Sequence, residues 1–216
     1  MEKIREHKVF VIVTSIITLL PMVVGIVLWN RLPEMMATHF GTDSMPNDWS
    51  PRGFTVFGLP IFLLAVHLIC VFATVADPRN KGINQTVFKI VGCIAPFCSV
   101  ACAVGIYGHE LGFTEVNSLT AIKCTLAIML IAVGNYLPKC RQNYTLGIKL
   151  PWTLEDEDIW NRTHRLTGWL WIVCGVFIIA EAFLRFGGVW FIFVVATVMV
   201  LVPVVYSLVI FMRNED

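Results

Sequence analysis

Charge is scarce in this chain. Only 14% of its 216 residues are charged and 57% are hydrophobic, against about 25% and about 45–50% in an ordinary soluble domain. A large soluble domain is therefore excluded. The net charge of +1 leaves no whole-molecule attraction for nucleic acid or for a strongly charged substrate, so direct nucleic-acid binding is not expected. There is no HExxH, GxSxG, P-loop or GxGxxG, so the enzyme classes those motifs announce are absent, and neither an enzyme nor a cofactor is expected. The seven cysteines include no CxxC pair, and six of them lie in apolar runs, which excludes a secreted disulfide framework. Cys98 and Cys102, four apart on one predicted helix, are a metal or redox pair or small packing residues. No transporter-type internal repeat and no low-complexity tract is visible.

What is present is apolar length. About 20 apolar residues cross a hydrocarbon core about 30 Å thick. Runs of that length fall at Val9 to Trp29, Phe54 to Val75, Val87 to Tyr107, Ser118 to Leu137, Leu166 to Leu184 and Trp190 to Met212. The expected fold is an all-α polytopic membrane protein with about six transmembrane helices in a single membrane domain. Lys3, Arg5 and Lys8 precede the first run as in a signal peptide. The run is long, however, and lacks a small-x-small cleavage site, so it reads as a retained helix. With the N-terminus inside, twelve of the sixteen Lys and Arg residues fall on the cytosolic side; Arg31, Arg52 and Arg185 fall outside, and Lys123 lies within a span. This bias predicts both termini in the cytosol of a bacterial cytoplasmic membrane. The tryptophans agree, because Trp29, Trp49 and Trp190 fall near outer span ends while Trp152, Trp160, Trp169 and Trp171 gather around the inner start of the fifth span.

Function is sought first in the two longest segments between spans, about 30–53 outside and 138–165 inside. The outer one carries Leu32-Pro33, then Thr38-His39-Phe40, then Pro46-Asn47-Asp48-Trp49, with apolar and aromatic groups on a short tether between helices. Phe40 and Trp49 suit an interfacial anchor or a partner contact, and His39 suits a turn cap. His39, Asp43 and Asp48 are the only local metal-ligand candidates, where three or four would have to converge, and no metal is expected. In its order of motifs this loop resembles the N-terminal domain of the SdpI immunity-protein family, with Ala37 where a proline is usual and Ser44 where a glycine is usual.

The inner segment is longer: Gly134-Asn135-Tyr136, Asn143-Tyr144, Gly147-Ile148-Lys149-Leu150-Pro151-Trp152-Thr153-Leu154, and Trp160 to Gly168. Thr153 followed by Glu155 and Asp156 predicts a helix N-terminus near Leu154. That helix can run into the fifth span, with Trp160, Thr163, His164, Thr167 and Gly168 on one face. Gly168 lets a neighbouring backbone approach, and Thr163 and His164 can hydrogen-bond at the inner membrane surface. The face is a packing device that seals the cytosolic end, or a signalling surface. The pattern resembles the C-terminal region of the same SdpI family, with Lys149 where arginine is usual, which weakens any bidentate contact. The resemblance implies a polytopic protein that protects a cell against a secreted peptide toxin and signals by drawing a cytosolic transcriptional repressor to the membrane. The outer-loop residues Leu32, Pro33, His39, Phe40 and Trp49 would then meet the toxin. The inner motif, Asn135, Asn143, Gly147, Lys149, Pro151, Trp152, Trp160, Thr163, His164 and Gly168, would carry the signal.

Ionisable groups inside spans are functional candidates. Lys123 and Glu181 lie at similar predicted depth and could form an ion pair, with His109 and Glu110 as further partners; His67 lies deeper. They motivate the alternative reading, a small transporter or exporter built on His67, Lys123 and Glu181. Two rows of small residues on the third span, Gly92, Ser99 and Ala103 and again Ala101 and Gly105, suit close helix packing. Pro60, Pro96 and Pro203 are candidate kinks.

Overall fold

The computed structural model describes residues 7–41, 45–77, 85–113 and 118–214. The chain forms two compact units, Met1–Val75 with Lys89–Thr125, and Ala76–Phe88 with Leu126–Asp216. In chain order the helices are α1 (Lys8–Val27), α2 (Leu59–Ala76), α3 (Gln85–Glu110), α4 (Ser118–Tyr136), the short α5 (Pro151–Glu155), α6 (Glu157–Leu184) and α7 (Gly188–Asn214). Six stretches built on α1, α2, α3, α4, α6 and α7 are long and apolar enough to span a membrane. Their surfaces say the same, since Val9, Ile16, Ile69, Phe72 and Leu201 each remain more than half exposed. Bare side chains of this kind need a lipid solvent.

To the expected helical architecture the structure adds one element: Met35–Phe40 (β1) and Pro46–Pro51 (β2) pair antiparallel as a hairpin in the first unit. A two-stranded hairpin is marginal by itself. Here Met36, fully buried, sinks with Leu32 into a cluster with Val56, Ile106 and Tyr107, so the hairpin is held by helices distant in sequence.

Within the first unit the first row of small residues does pack helices closely. A Cβ at Gly92 would strike the Phe10 ring of α1, and the Ser99 hydroxyl donates to Thr18 O of α1 at 2.7 Å. The second row does not, for Gly105 faces open space. Pro96 and Pro203 lie inside α3 and α7. Pro60 stands at the second position of α2, just after a π-helical turn, Phe54–Gly58, in which Leu59 N–H bonds Phe54 O.

In the second unit α4 and α6 meet through glycine. A Cβ on Gly168 would collide with Gly134 O and the Pro138 ring, and one on Gly134 with Gly168 O. Gly175, one heptad on, lies against Ala127 O and Ile131. Nearby, Ala127, Cys174, Ile178 and Val195 form the buried core of α4, α6 and α7. The α6 start differs from expectation. Pro151, whose ring fixes φ, opens α5, and Thr153 is its third residue rather than a cap. The chain breaks at Asp156, whose Oδ1 accepts from Asp158 N–H at 2.7 Å and Ile159 N–H at 3.2 Å to cap α6. Glu157 and Asp158 supply negative charge to that first turn, where the helix dipole favours it.

Candidate functional site

The hairpin is tied to its unit by residues at its base. Arg52 Nη1 donates to Trp29 O and Leu32 O, both at 2.8 Å, and its guanidinium lies 4.3 Å over the Trp29 ring. Glu110, in the last turn of α3, accepts from the Ala37 N–H at 2.7 Å. Next to it, His109 meets Phe40 edge-on, with centroids 5.0 Å apart at 80°. His109 and Glu110, considered from sequence as companions of an intramembrane ion pair, therefore hold the hairpin. Across the strands His39 Nδ1 bonds Asn47 Oδ1 at 2.6 Å; an amide oxygen only accepts, so Nδ1 carries the hydrogen. Thr38 and Ser50 hydroxyls bond at 3.0 Å.

The candidate residues of this loop accordingly divide. Leu32 is buried, Phe40 is half-buried against His109, and Pro33 and His39 are exposed. Trp49 is 50% exposed and Met45 64%. Asp43, one of the three metal-ligand candidates, and Ser44 lie outside the described residues.

The inner motif folds inward. Trp160 is fully buried, and its indole N–H donates to Cys140 O at 2.8 Å. The His164 ring stacks on it at 3.8 Å and 23°. His164 Nδ1 faces Trp160 O at 2.8 Å, and Nε2 faces the Ile148 N–H at 3.0 Å. A carbonyl only accepts and an amide N–H only donates, so the network fixes the neutral tautomer protonated at Nδ1. Gly147, at φ +132°, lies on this stack; a Cβ there would meet His164 Nε2 and the Trp160 ring. This is a position where only glycine fits.

The loop 140–150 is knotted to this stack by polar bonds. The Asn143 carboxamide oxygen accepts from Thr145 N–H and Leu146 N–H at 2.9 and 2.7 Å, and its nitrogen donates to Arg141 O at 2.8 Å. Buried Thr153 donates to Ile148 O at 2.7 Å and accepts from Leu150 N–H at 2.9 Å. Lys149 Nζ donates to Tyr144 O at 3.1 Å. Trp152, half-buried, donates from its indole to Ser207 Oγ at 3.0 Å and stacks on Phe211, joining α5 to α7. Asp77, just past α2, accepts from Tyr144 N–H and Thr145 Oγ1–H, both at 2.8 Å. Sequence reasoning missed Asp77, and its only cue is a buried acid beside a span end. Cys140, in the basic loop, is 2% exposed, and burial pushes its thiol up to about 11.

Trp160, Thr163, His164, Thr167 and Gly168 do share one face, and that face is buried throughout. These side chains form the interior of the motif. Asn135 stays outside the cluster, exposed on α4, and Pro151 is exposed at the start of α5.

The intramembrane candidates are distributed between the units. His67 is fully buried in α2, and Thr14 Oγ1 of α1 lies 3.0 Å from its Nε2. The Thr14 hydroxyl also lies 2.9 Å from Phe10 O, the carbonyl one turn back on α1. Lys123 is half-buried in the first unit, whereas Glu181 is 1% exposed in the second.

The two built regions coincide with what the chain is similar to. Residues 16–64, holding the second half of α1, the hairpin and the start of α2, match a domain of unknown function (DUF1648), and residues 139–207, holding most of the inner motif, α6 and much of α7, match the SdpI/YfhL protein family. Immunity protein SdpI of Bacillus subtilis (strain 168) is 25% identical over 198 residues, 91% of this chain and 92% of that protein. No solved structure matches. With six spanning helices, this is a multi-pass bacterial membrane protein. Motif order, spacing and near full-length similarity thus agree in likening the chain to the SdpI/YfhL protein family and its immunity protein.

Proposed function

We propose that this chain is a non-enzymatic membrane immunity protein that protects its cell against a secreted peptide toxin. The hairpin is the recognition element, and the inner motif braces the surface that meets a cytosolic repressor. The near full-length similarity to an immunity protein carries the reading, and the build of the hairpin supports it. Trp49 and Met45 project from a scaffold whose backbone is already tied by Arg52 and Glu110. A preorganised apolar display binds without the entropic cost of ordering a loop. Phe40 serves in the tie more than in the display, since it leans on His109.

On the other motif a regulator would meet Arg141, Tyr144 and Lys149, all exposed, rather than Trp160 or His164. The test is survival of a toxin-sensitive strain expressing the protein and challenged with candidate peptide toxins. It is read beside toxin binding to detergent-solubilised protein at matched expression. Trp49→Ala is expected to lose binding and protection; Tyr144→Ala is expected to keep toxin binding and lose repressor recruitment. If Trp49→Ala binds and protects like wild type while Tyr144→Ala loses toxin binding, recognition lies on the other motif.

A further inference from the structure

Beside the hairpin, the first unit carries a groove that the immunity reading does not use. It has a volume of about 400 Å³ and runs between Leu20, Pro21 and Val24 of α1 and Val100, Val104 and Gly105 of α3. Its origin is the second row of small residues. Elsewhere on this seam side chains bring the helices together, with Gly92 on Phe10, Ser99 on Thr18 O, and the Tyr107 hydroxyl donating to Pro21 O at 3.1 Å. At Gly105 and Gly108 nothing among the described residues lies within 4 Å of where a Cβ would stand. The seam is braced along its length but unfilled between braces.

Three observations identify the occupant. The rim residues Val104, Leu20 and Val24 are 65%, 48% and 39% exposed on membrane-spanning helices, so the groove is continuous with the protein's lipid-facing surface. Protein interiors are packed to crystal density, and an apolar space open to hydrocarbon is filled by hydrocarbon. From Val100 to His109 the α3 wall rises about 14 Å at ~1.5 Å per residue, close to the ~15 Å of one leaflet's hydrocarbon. Towards the end of α3 the otherwise apolar lining carries His109, one residue from Glu110, which holds Ala37 of the hairpin, with Leu111 and Phe113 beyond it. The groove is thus about as long as one acyl chain, with an imidazole near one end where an ester or headgroup would lie.

We propose that this groove holds one acyl chain of a phospholipid from the hairpin-side leaflet, with the lipid's polar end at His109. The lipid then forms part of the hairpin's seat, because the same imidazole carries Phe40 on its edge. The proposal rests on the membrane location and the groove, and stands whether or not the hairpin binds a toxin.

The test uses the full chain in nanodiscs of phosphatidylethanolamine and phosphatidylglycerol, a fraction of which carries a photoactivatable group on one acyl chain. Cross-links are expected to concentrate on Leu20, Pro21, Val24 and the groove-lining positions between 100 and 108, and native mass spectrometry of the detergent-extracted protein is expected to find one retained lipid per chain. Gly105→Leu and Gly108→Leu project into open space, so they should fold, lose the retained lipid and loosen amide protection in the hairpin. Val23→Leu, on a lipid-exposed position outside the groove, should change nothing. Cross-links spread evenly over all lipid-facing positions of the wild type would overturn the proposal, and that map needs no variant to fold. So would lipid retention unaffected by both filling variants, or displacement of the lipid by a soluble apolar peptide, which would make the groove a peptide site.

Discussion

The bond between Ala37 N–H and Glu110 Oε1 needs a residue other than proline at position 37, where the motif this loop resembles usually has proline, because proline has no N–H to give. Its worth can be measured by a double-mutant cycle. Glu110→Ala leaves the Ala37 N–H, on a residue 1% exposed, without an acceptor. Stranding a buried donor costs about 1–3 kcal/mol, and a hydrogen bond to a charged group is worth about 1.5–3 kcal/mol. Glu110 is itself half-buried, so partial solvent screening favours the lower part of that range. Ala37→Pro removes the donor instead. Since that N–H points at α3, the ladder to β2 survives, and proline is tolerated at such an edge position.

The two single variants should therefore each loosen the hairpin, while the double variant costs less than their sum by about 1–2 kcal/mol, the signature of direct coupling. Because the hairpin opens locally, the readout is amide exchange at Met36 and Ser50, neighbours across the strands. A shift of that size speeds exchange roughly 5–30-fold. Glu110→Gln keeps an uncharged acceptor and should fall between wild type and Glu110→Ala. Strict additivity, or an unchanged exchange rate in Glu110→Ala, would mean the bond does not hold the hairpin.

Gly147→Ala should destabilise the inner motif, since φ +132° strains any side chain by about 1–3 kcal/mol and the Cβ would displace His164 from Trp160, with overpacking adding about 1–3 kcal/mol; thermal unfolding in detergent at the wild-type midpoint would refute this. Cys140, with its thiol pushed up to about 11, should resist maleimide in the folded protein even at mildly alkaline pH and react once the protein is unfolded; prompt labelling of the folded protein would refute its burial. With single cysteines on a cysteine-free background, positions 43 and 186 should label from outside the cell and positions 80, 145 and 215 should not. Outside labelling at 145 would reverse the orientation.

The six spans were legible because lipid leaves the backbone little choice but the helix, and the required apolar length is written in residue order. The shared face of Trp160, Thr163, His164, Thr167 and Gly168 was legible for a related reason: helical period is a property of spacing alone. The α6 cap was half-legible. Thr153 and Asp156 are both good caps, and only the folded loop, which occupies the Thr153 hydroxyl with Ile148 O and Leu150 N–H, leaves the role to Asp156. The hairpin was not legible. Its strands are short, their burial does not alternate, and what stabilises them is Glu110 and Tyr107, about seventy residues on. Asp77 escaped for the same reason, since its partners Tyr144 and Thr145 are 67 and 68 residues away.

The two motifs turn out to use their residues in opposite ways. In the hairpin the apolar residues of the strands split, with Met36 and Ala37 buried as the foundation and Trp49 left half-exposed. In the inner motif the largest and most distinctive side chains, Trp160 and His164, go entirely inside, where each hydrogen bond is to backbone: Cys140 O, Trp160 O and Ile148 N–H. A side chain that bonds only to backbone in a buried cluster specifies the path of a loop. The exposed Arg141, Tyr144 and Lys149 are displayed on the path so specified, and Asp77 pins it from the end of α2. On the proposed reading, a substitution at Trp160 would act on a cytosolic partner through the position of Tyr144 and Lys149 and not through a lost contact. Trp160→Phe, which keeps the ring stack but abandons Cys140 O, should shift that surface less than Trp160→Ala, which removes both.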